Sequence, residues 1–302
     1  MEQQPKFDVA LLGCGNMGAA LGRALLAAGY SVTAWNRSPE KSRALEPFGA
    51  RSAHTADQAV GSARATITCL RTYDDVEKVL GTVDMPDGHT LINVTTGSPR
   101  DADRLRRWAE TQRVQYLDGA ILAFPEQIGT RTCQLLVAGS PEIWEANREL
   151  IRAMGGASRH VSGDAKGANV LDLAGVGAFY GVSILGFIEA ARYVTACGVP
   201  VDELLLVARQ LDGILHTAQQ QCVESLTTGD FSTDQATIDV YHSGSVTFRE
   251  TLTDRLGSAP MVEAAAELLG RGVDAGLSEQ SLYALFKLYD TRDVNEDVAQ
   301  AG

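Results

Sequence analysis

Residues 7–18 read FDVALLGCGNMG and run straight into AALGRALLAAGY. An apolar strand-like run, three glycines spaced G-x-G-x-x-G and a helical run in that order dictate a strand–turn–helix unit. The first glycine, Gly13, makes the tight turn; the second, Gly15, lets the backbone approach a pyrophosphate; the third, Gly18, lets the helix pack closely on the strand. Phosphates would sit at the helix N-terminus, where free N–H groups and the helix dipole favour an anion. The unit predicts an α/β fold, and it makes Gly13, Gly15, Asn16, Met17 and Gly18 candidate dinucleotide contacts.

The next strand, Ser31–Trp35, ends at Asn36-Arg37-Ser38, with Lys41 a turn later. An NAD-selective site has an acid here to accept hydrogen bonds from the ribose hydroxyls. That acid is replaced by Asn36, and an acid would have repelled a 2′-phosphate. A guanidinium and a hydroxyl can clamp a phosphate. The alternative is a solvated Arg37 at a strand end. The pattern favours NADP(H), with Asn36, Arg37, Ser38 and Lys41 as contacts.

Alternating units follow: a helix over 39–48, a strand near 65–70, a helix over 74–80, and a strand over 90–94 that runs into Thr95-Thr96-Gly97-Ser98-Pro99. A strand end of this kind faces the cofactor crevice, so Thr95 and Thr96 are candidate contacts, while Ser98 suits a helix cap equally well. A helix over 101–113 and a strand over 115–117 precede an apolar Gly- and Pro-punctuated loop, 118–129, holding Phe124 and Ile128. A strand over 133–138, a helix over 141–154 and a hinge over 155–163 end this half. Beyond Pro200 apolar positions recur at helical spacing over 201–211, 214–226, 233–243 and 261–270, with a further helix over 278–289. The predicted domains are 1–163, an N-terminal Rossmann-type doubly wound parallel sheet; 164–198, a long inter-domain helix; and 199–302, all helical, for dimerisation and substrate.

Composition removes several functions. A formal net charge of -12 with no basic stretch leaves nothing to neutralise nucleic-acid phosphates or an anionic membrane. The five cysteines are scattered and form no C-x-x-C pair, as expected of small buried side chains in a reducing compartment. No charged, apolar and cleavage regions precede the first strand, and no apolar run both reaches membrane length and excludes charge. The reading is a cytoplasmic protein. His216 and His242 have no Cys or carboxylate at ligand spacing, so no metal site is expected.

The stretch GANVLDLAGVGAFYGVSILGFIEAA (167–191) is apolar enough for burial on several sides, yet it carries Asp172 and Tyr180. On an α-helix these two differ by roughly 80° around the axis and lie ~12 Å apart along it, so both can line one cleft without touching. Asp172 could instead be a satisfied buried acid, and Tyr180 an interface aromatic whose hydroxyl finds a partner. No lysine occurs between Lys166 and Lys287. A hydroxy-acid dehydrogenase on this architecture needs a general base at the substrate hydroxyl, and Lys166 is its one candidate. A helix this apolar has to be covered, and a second copy of the chain would cover it.

GCGNMG (13–18), WNRS (35–38), NVTTGSP (93–99), DGAILAFPEQIG (118–129), LDLAGVGAFYG (171–181) and GDFST (229–233) together resemble the imine reductases, NADPH-dependent relatives of the β-hydroxyacid dehydrogenases. The resemblance spans nearly the whole chain. It implies an intertwined homodimer whose active sites use both chains, with Asp172 and Tyr180 at the polar positions implicated in catalysis and Tyr180 as the proton donor. It also implies that residues near Tyr241 reach the site, with His242 beside it. Two departures matter. Reductive aminases carry an asparagine where this chain has Thr96, which favours preformed imines over free ketone and amine. The dehydrogenases resemble D-A-P-V-S-G-G where this chain has DGAILA, without the Ser-Gly-Gly that grips a carboxylate.

The chemistry agrees with these residue types. An imine is protonated, or arrives as iminium, before hydride attack on its carbon; Asp172 could stabilise the cation and Tyr180 could donate a proton to nitrogen. Phe124, Ile128 and Phe179 are candidate pocket walls, though each suits a plain core equally well. The sequence therefore predicts NADPH-dependent reduction of a small-molecule imine. A dehydrogenase using Lys166 and a non-catalytic NADPH-binding protein are the rivals. Neither the natural substrate nor the prochiral face is written in the sequence.

Overall fold

The computed structural model describes residues 6–289. By contacts the chain divides after Phe179 into two units, inside the segment assigned above to the long helix. The first unit is built on β1 (Phe7–Leu12), β2 (Val32–Trp35), β3 (Arg51–Ser52), β4 (Ala63–Thr68), β5 (Thr90–Asn93), β6 (Gln115–Ile121), β7 (Leu135–Gly139) and β8 (Arg159–Ser162). They form one sheet in the order β3-β2-β1-β4-β5-β6-β7-β8. The chain reverses its direction of travel between β1 and β4, and in open α/β sheets ligands bind outside the strand carboxyl ends at such a switch point.

The helices between the strands are α1 (Asn16–Ala27), α2 (Pro39–Arg43), α3 (Ala56–Val60), α4 (Tyr73–Leu80), α5 (Pro99–Thr111), α6 (Pro141–Met154) and α7 (Gly167–Asp172). Two apolar clusters fill the two faces of the sheet, one around Leu11, Leu21 and Leu25, the other around Leu12, Leu80, Leu91 and Leu105. Side chains from β1 alternate between the two, as period-2 strand geometry requires.

Several local expectations need correction. The helix expected over 39–48 stops at Arg43 and resumes only as a 3-10 turn at Glu46–Phe48, because Pro47 cannot continue the α-helical ladder. Short β3 and α3 lie between it and β4 and carried no periodic signal. Asp118–Ile121, read as loop, belongs to β6. The hinge over 155–163 contains β8. The sheet is not wholly parallel: β7 runs antiparallel to β6, because the 122–134 connection carries no crossover helix and only one 3-10 turn.

After α7 the backbone is π-helical over Leu173–Gly181 and returns to α-helix in α8 (Val182–Ala196). With i→i+5 bonding the rotation per residue is smaller than in an α-helix, so the 80° offset reckoned for Asp172 and Tyr180 does not hold. The span Gly167–Ala196 is long and apolar enough to cross a bilayer by length and composition. Two of its charged groups, Glu189 and Arg192, are nonetheless engaged in protein contacts in the second unit. The Glu189 carboxylate accepts from the Met261 and Val262 amides (both 3.0 Å), and Arg192 donates to the Leu256 and Ser258 carbonyls.

The second unit continues with α9 (Val201–Thr228), α10 (Ile238–Leu256) and α11 (Pro260–Asp274). The two helices expected over 201–211 and 214–226 are one, since an isolated Gly213 is tolerated within a helix. The helix expected over 233–243 starts at Ile238, where Thr237 caps it. The last predicted helix is a 3-10 segment, Leu282–Leu288. Glu189 caps the amides at the start of α11, satisfying donors no intrahelical carbonyl can reach. A small core of Ile238, Leu269, Leu277 and Ala284 lies beneath, while Leu185, Ile188, Leu206, Ile214 and Val223 on α8 and α9 stay exposed.

Candidate active site

The glycine turn joins β1 to α1. Gly13 has φ +103°, and a Cβ there would lie 2.2 Å from the Cys69 carbonyl oxygen. A Cβ on Gly18 would lie 2.0 Å from the Gly13 carbonyl oxygen, so both positions exclude every other residue. Gly15 differs: its φ is an ordinary -68° and nothing stands within 4 Å of a Cβ. Gly15 is the N-cap of a twelve-residue helix and supplies no side-chain cap, so the first-turn amides of α1 face open space. That is the cradle a pyrophosphate requires.

At the end of β2, the Asn36 side chain is committed to the fold. Its Oδ1 accepts from the Cys14 amide (2.9 Å) and its Nδ2 donates to the Ser38 carbonyl (3.1 Å), tying the glycine turn to the strand end. Arg37 and Lys41 are exposed, and among the described residues neither makes an ion pair. Two free cations beside the turn, with no acid at position 36, fit a 2′-phosphate. Thr95 is 1% exposed and its hydroxyl accepts from the Leu70 amide (3.1 Å), whereas Thr96 is exposed. Ser98 takes the bland role: it caps α5 in a reciprocal box with Asp101.

Below this strand end lies a buried polar cluster. Asp118 of β6 stands level with Asn93, the last residue of β5. The Tyr73 hydroxyl donates to its carboxylate (2.7 and 2.9 Å), as do the Tyr116 hydroxyl and the Asn93 amide (3.4 Å). Burial pushes Asp118 up to about 7 even though these donors pull it down. Asn169 of α7 donates to the Tyr73 oxygen (3.0 Å) and the Gly97 carbonyl (3.3 Å). Asp172, three residues on and so on the same side of α7 as Asn169, is 9% exposed. It has no hydrogen-bond or ion-pair partner among the described residues, and burial raises its pKa.

Two family models match the chain. The NAD binding domain of 6-phosphogluconate dehydrogenase covers residues 8–175, and the C-terminal domain of the NADPH-dependent reductive aminase-like proteins covers 164–291. The chain is 27% identical over 292 residues to an NADPH-dependent reductive aminase of Aspergillus oryzae, covering 93% of this chain and 96% of the relative. An imine reductase from Myxococcus stipitatus, solved with NADP+, superposes with a TM-score of 0.87 at 27% identity, over 93% of this chain and 99% of that one. A Pseudomonas imine reductase does so with a TM-score of 0.87 at 28% identity, over the same shares. The chain belongs to the imine reductase family.

Within that family frame, the other candidate residues fall in different surroundings. Phe124 is 60% exposed, at the start of a 3-10 turn. Ile128 is partly buried on the sheet core and lines a hollow with Arg23 and Ala24 of α1. Met17 packs partly on the same core, and Asn16 is exposed. Phe179 and Tyr180 are half exposed at the end of the π-helical segment. In the second unit, Tyr241 lines a polar hollow with Gln221, Glu224 and Tyr283, and the His242 ring lies against Gly270 of α11.

Lys166, the rival base, pairs with Asp164 (3.1 Å) and lines a hollow with Gln115, Tyr116 and Gly139. Gln115 begins β6, so the lysine sits by the amino edge of the sheet, opposite the strand ends that hold the glycine turn. Among the described residues no group of three His, Cys, Asp or Glu side chains could hold a metal. Sequence reasoning missed Tyr73 and the role of Asp118. A carboxylate inside an apolar strand run is the signal that could have found the latter.

Proposed function

We propose that this protein is an NADPH-dependent imine reductase, delivering hydride to the carbon of a C=N bond to give an amine. One observation carries the reading beyond family membership: the ionisable group beside the strand-end crevice is a buried acid, Asp172, unpartnered among the described residues, while Lys166 lies at the other edge of the sheet. An anion there favours an iminium and disfavours a carboxylate substrate.

Bound NADPH supplies the hydride. The α1 amides with Gly13, Gly15, Asn16, Met17 and Gly18 hold its pyrophosphate, and Arg37, Ser38 and Lys41 hold its 2′-phosphate. Asn36 acts through the turn it ties down, and Thr95 and Thr96 border the crevice. Asp172 stabilises the positive charge on the substrate nitrogen, and Tyr180 donates a proton to that nitrogen. Phe124, Ile128, Phe179, Tyr241 and His242 are assigned to the substrate pocket. The exposed apolar residues of α8 and α9 support a homodimer with active sites shared between chains, since a patch of this kind marks an interface. Cysteines that are all free suit the cytoplasm.

The test is NADPH consumption with 2-methyl-1-pyrroline beside NADP+ reduction with 3-hydroxyisobutyrate. Imine turnover that Tyr180→Phe slows strongly and Lys166→Ala leaves nearly unchanged is the expected result. Turnover of the hydroxy acid alone refutes the reading and restores Lys166 as the base. NADPH binding with no turnover of either would make the protein a cofactor-binding one. Cyclohexanone with an amine, run alongside, reports whether Thr96 permits coupling of free components.

A further inference from the structure

The buried cluster under the crevice has a fixed hydrogen-bond direction. The Asn93 amide cannot turn over, because its Oδ1 accepts from the Thr95 backbone amide (3.3 Å) and the Thr68 hydroxyl (2.8 Å). Its Nδ2 therefore points at Asp118. The Asn169 amide cannot turn over either, because its Nδ2 faces the Gly97 carbonyl, which only accepts. The Tyr73 oxygen must then accept from Asn169, and its one proton must go to Asp118. The Gly97 carbonyl thus sets the direction of every bond in the chain Asp118–Tyr73–Asn169, and the Thr95 amide sets that of the Asn93–Asp118 bond.

This arrangement has a cost that packing alone does not explain. The Asn169 Oδ1 is buried and has no partner, on a residue 2% exposed. An unmet buried acceptor is destabilising. An apolar residue would avoid that cost, so the amide is present for what its nitrogen holds. The nitrogen holds two things: the Tyr73 hydroxyl, and the carbonyl of the loop that borders the crevice. Tyr73 is also seated against that loop, since a Cβ on Gly97 would lie 2.3 Å from two of its ring carbons. All of this belongs to the first unit, and Asp172 follows one turn after Asn169 on α7.

We propose that Asp118, Tyr73 and Asn169 form a positioning strut. It fixes the turn of α7 that carries Asp172 to the floor of the strand-end crevice, so turnover depends on the strut through Asp172. On this proposal the three act through Asp172 and not by contact with substrate. The proposal rests on the imine reductase reading for the role of Asp172, but the strut itself is a statement about α7.

The experiment is a double-mutant cycle on the full chain. Tyr73→Phe removes one oxygen and keeps the ring on which Gly97 packs. It is expected to lower kcat about 10-fold or more while changing KM and the NADPH Kd less than about 3-fold. In an Asp172→Asn background the same change is expected to cost less than about 3-fold, because the group it positions is already gone. Losses that multiply in the two backgrounds, or an equal loss of NADPH binding, overturn the proposal. Should Tyr73→Phe fold poorly, Asn169→Ala carries the same expectations and leaves the Tyr73–Asp118 bonds intact. Asp118→Asn keeps an acceptor for Tyr73 and is expected to retain most of the activity that Asp118→Ala loses. Equal damage from the two would overturn the strut and make the charge itself the contribution. If the wild-type protein turns over no imine, the functional reading fails and the strut is read from amide exchange. Faster exchange at 168–172 than at 141–154 in Tyr73→Phe supports it, and unchanged exchange overturns it.

Discussion

Gly13 and Gly15 sit two residues apart in one turn, and the structure predicts opposite consequences for the same substitution. Gly13→Ala puts a residue with a side chain at φ +103° and its Cβ 2.2 Å from the Cys69 carbonyl oxygen. The backbone term is roughly 1–2 kcal/mol and the overlap roughly 1–3 kcal/mol, so about 2–5 kcal/mol of stability goes. For a unit of this size that lowers Tm by roughly 5–15 °C. Gly15→Ala meets no atom within 4 Å and an ordinary φ of -68°, so the apo protein keeps its Tm or gains slightly. Its methyl group instead occupies the approach of the pyrophosphate. Displacing a phosphate from two amides removes two charge-assisted hydrogen bonds, on the order of 3 kcal/mol or about 100-fold in Kd. The assay is thermal melting with and without NADPH. At NADPH 100 times the wild-type Kd, ligand stabilisation is about 2.7 kcal/mol; at a Kd 100-fold weaker it falls to about 0.4 kcal/mol. Gly15→Ala should therefore melt like wild type without cofactor and lose most of the NADPH-induced rise. A full rise in Gly15→Ala would refute the pyrophosphate assignment, and an unshifted apo Tm in Gly13→Ala would refute the reading of the turn.

Arg37→Ala should weaken NADPH by about 1–3 kcal/mol and leave NADH nearly unchanged, measured by fluorescence titration; equal effects would remove Arg37 from the 2′-phosphate site. His89 is buried against the Thr66 hydroxyl (2.8 Å), and burial lowers its pKa from 6.5 to about 4. Its contribution to stability is present above pH 6.5 and is lost as pH falls toward 4. On the order of 2 kcal/mol should go between pH 7 and pH 5 in denaturant titrations, less in His89→Gln. Leu185→Glu with Ile188→Glu, at exposed positions of α8, should convert a dimer to a monomer by light scattering; an unchanged mass would place the interface elsewhere.

What the sequence showed and what it hid divide along physical lines. The strand–turn–helix unit was legible because each glycine answers a local steric demand that no other residue meets. The absent acid at position 36 was legible as an absence of charge, but the second task of Asn36, holding the Cys14 amide, depends on β1 and β2 lying side by side. The strand β3 was invisible because two residues carry no period. The strut was invisible because Tyr73, Asp118 and Asn169 are far apart in the chain and meet only through the β5–β6 pairing and the docking of α7. The π-helical segment was hidden for a different reason. Its glycines and apolar residues satisfy the α-helical pattern equally well, and hydrogen-bond register is not written in residue type.

The choice between an acid and a lysine turns on the placement of one short helix. Lys166 and Asp172 are six residues apart, so α7 carries them ~9 Å apart along its axis. That is about half the length of a seven-residue strand such as β6. At one end of α7 the lysine meets Gln115, where β6 begins, and spends its charge on Asp164. Toward the other end Asn169 is bonded to the loop after β5, and Asp172 follows it unpaired. A lysine in the chain is therefore not by itself a sign of dehydrogenase chemistry, because this one lies where β6 begins and not at the strand carboxyl ends. A burial-raised carboxylate beside those ends is suited to a substrate that is itself a cation. On the reading proposed above, the same fold would select C=N over C–OH through which edge of the sheet each charge reaches, and the six residues of α7 would set that.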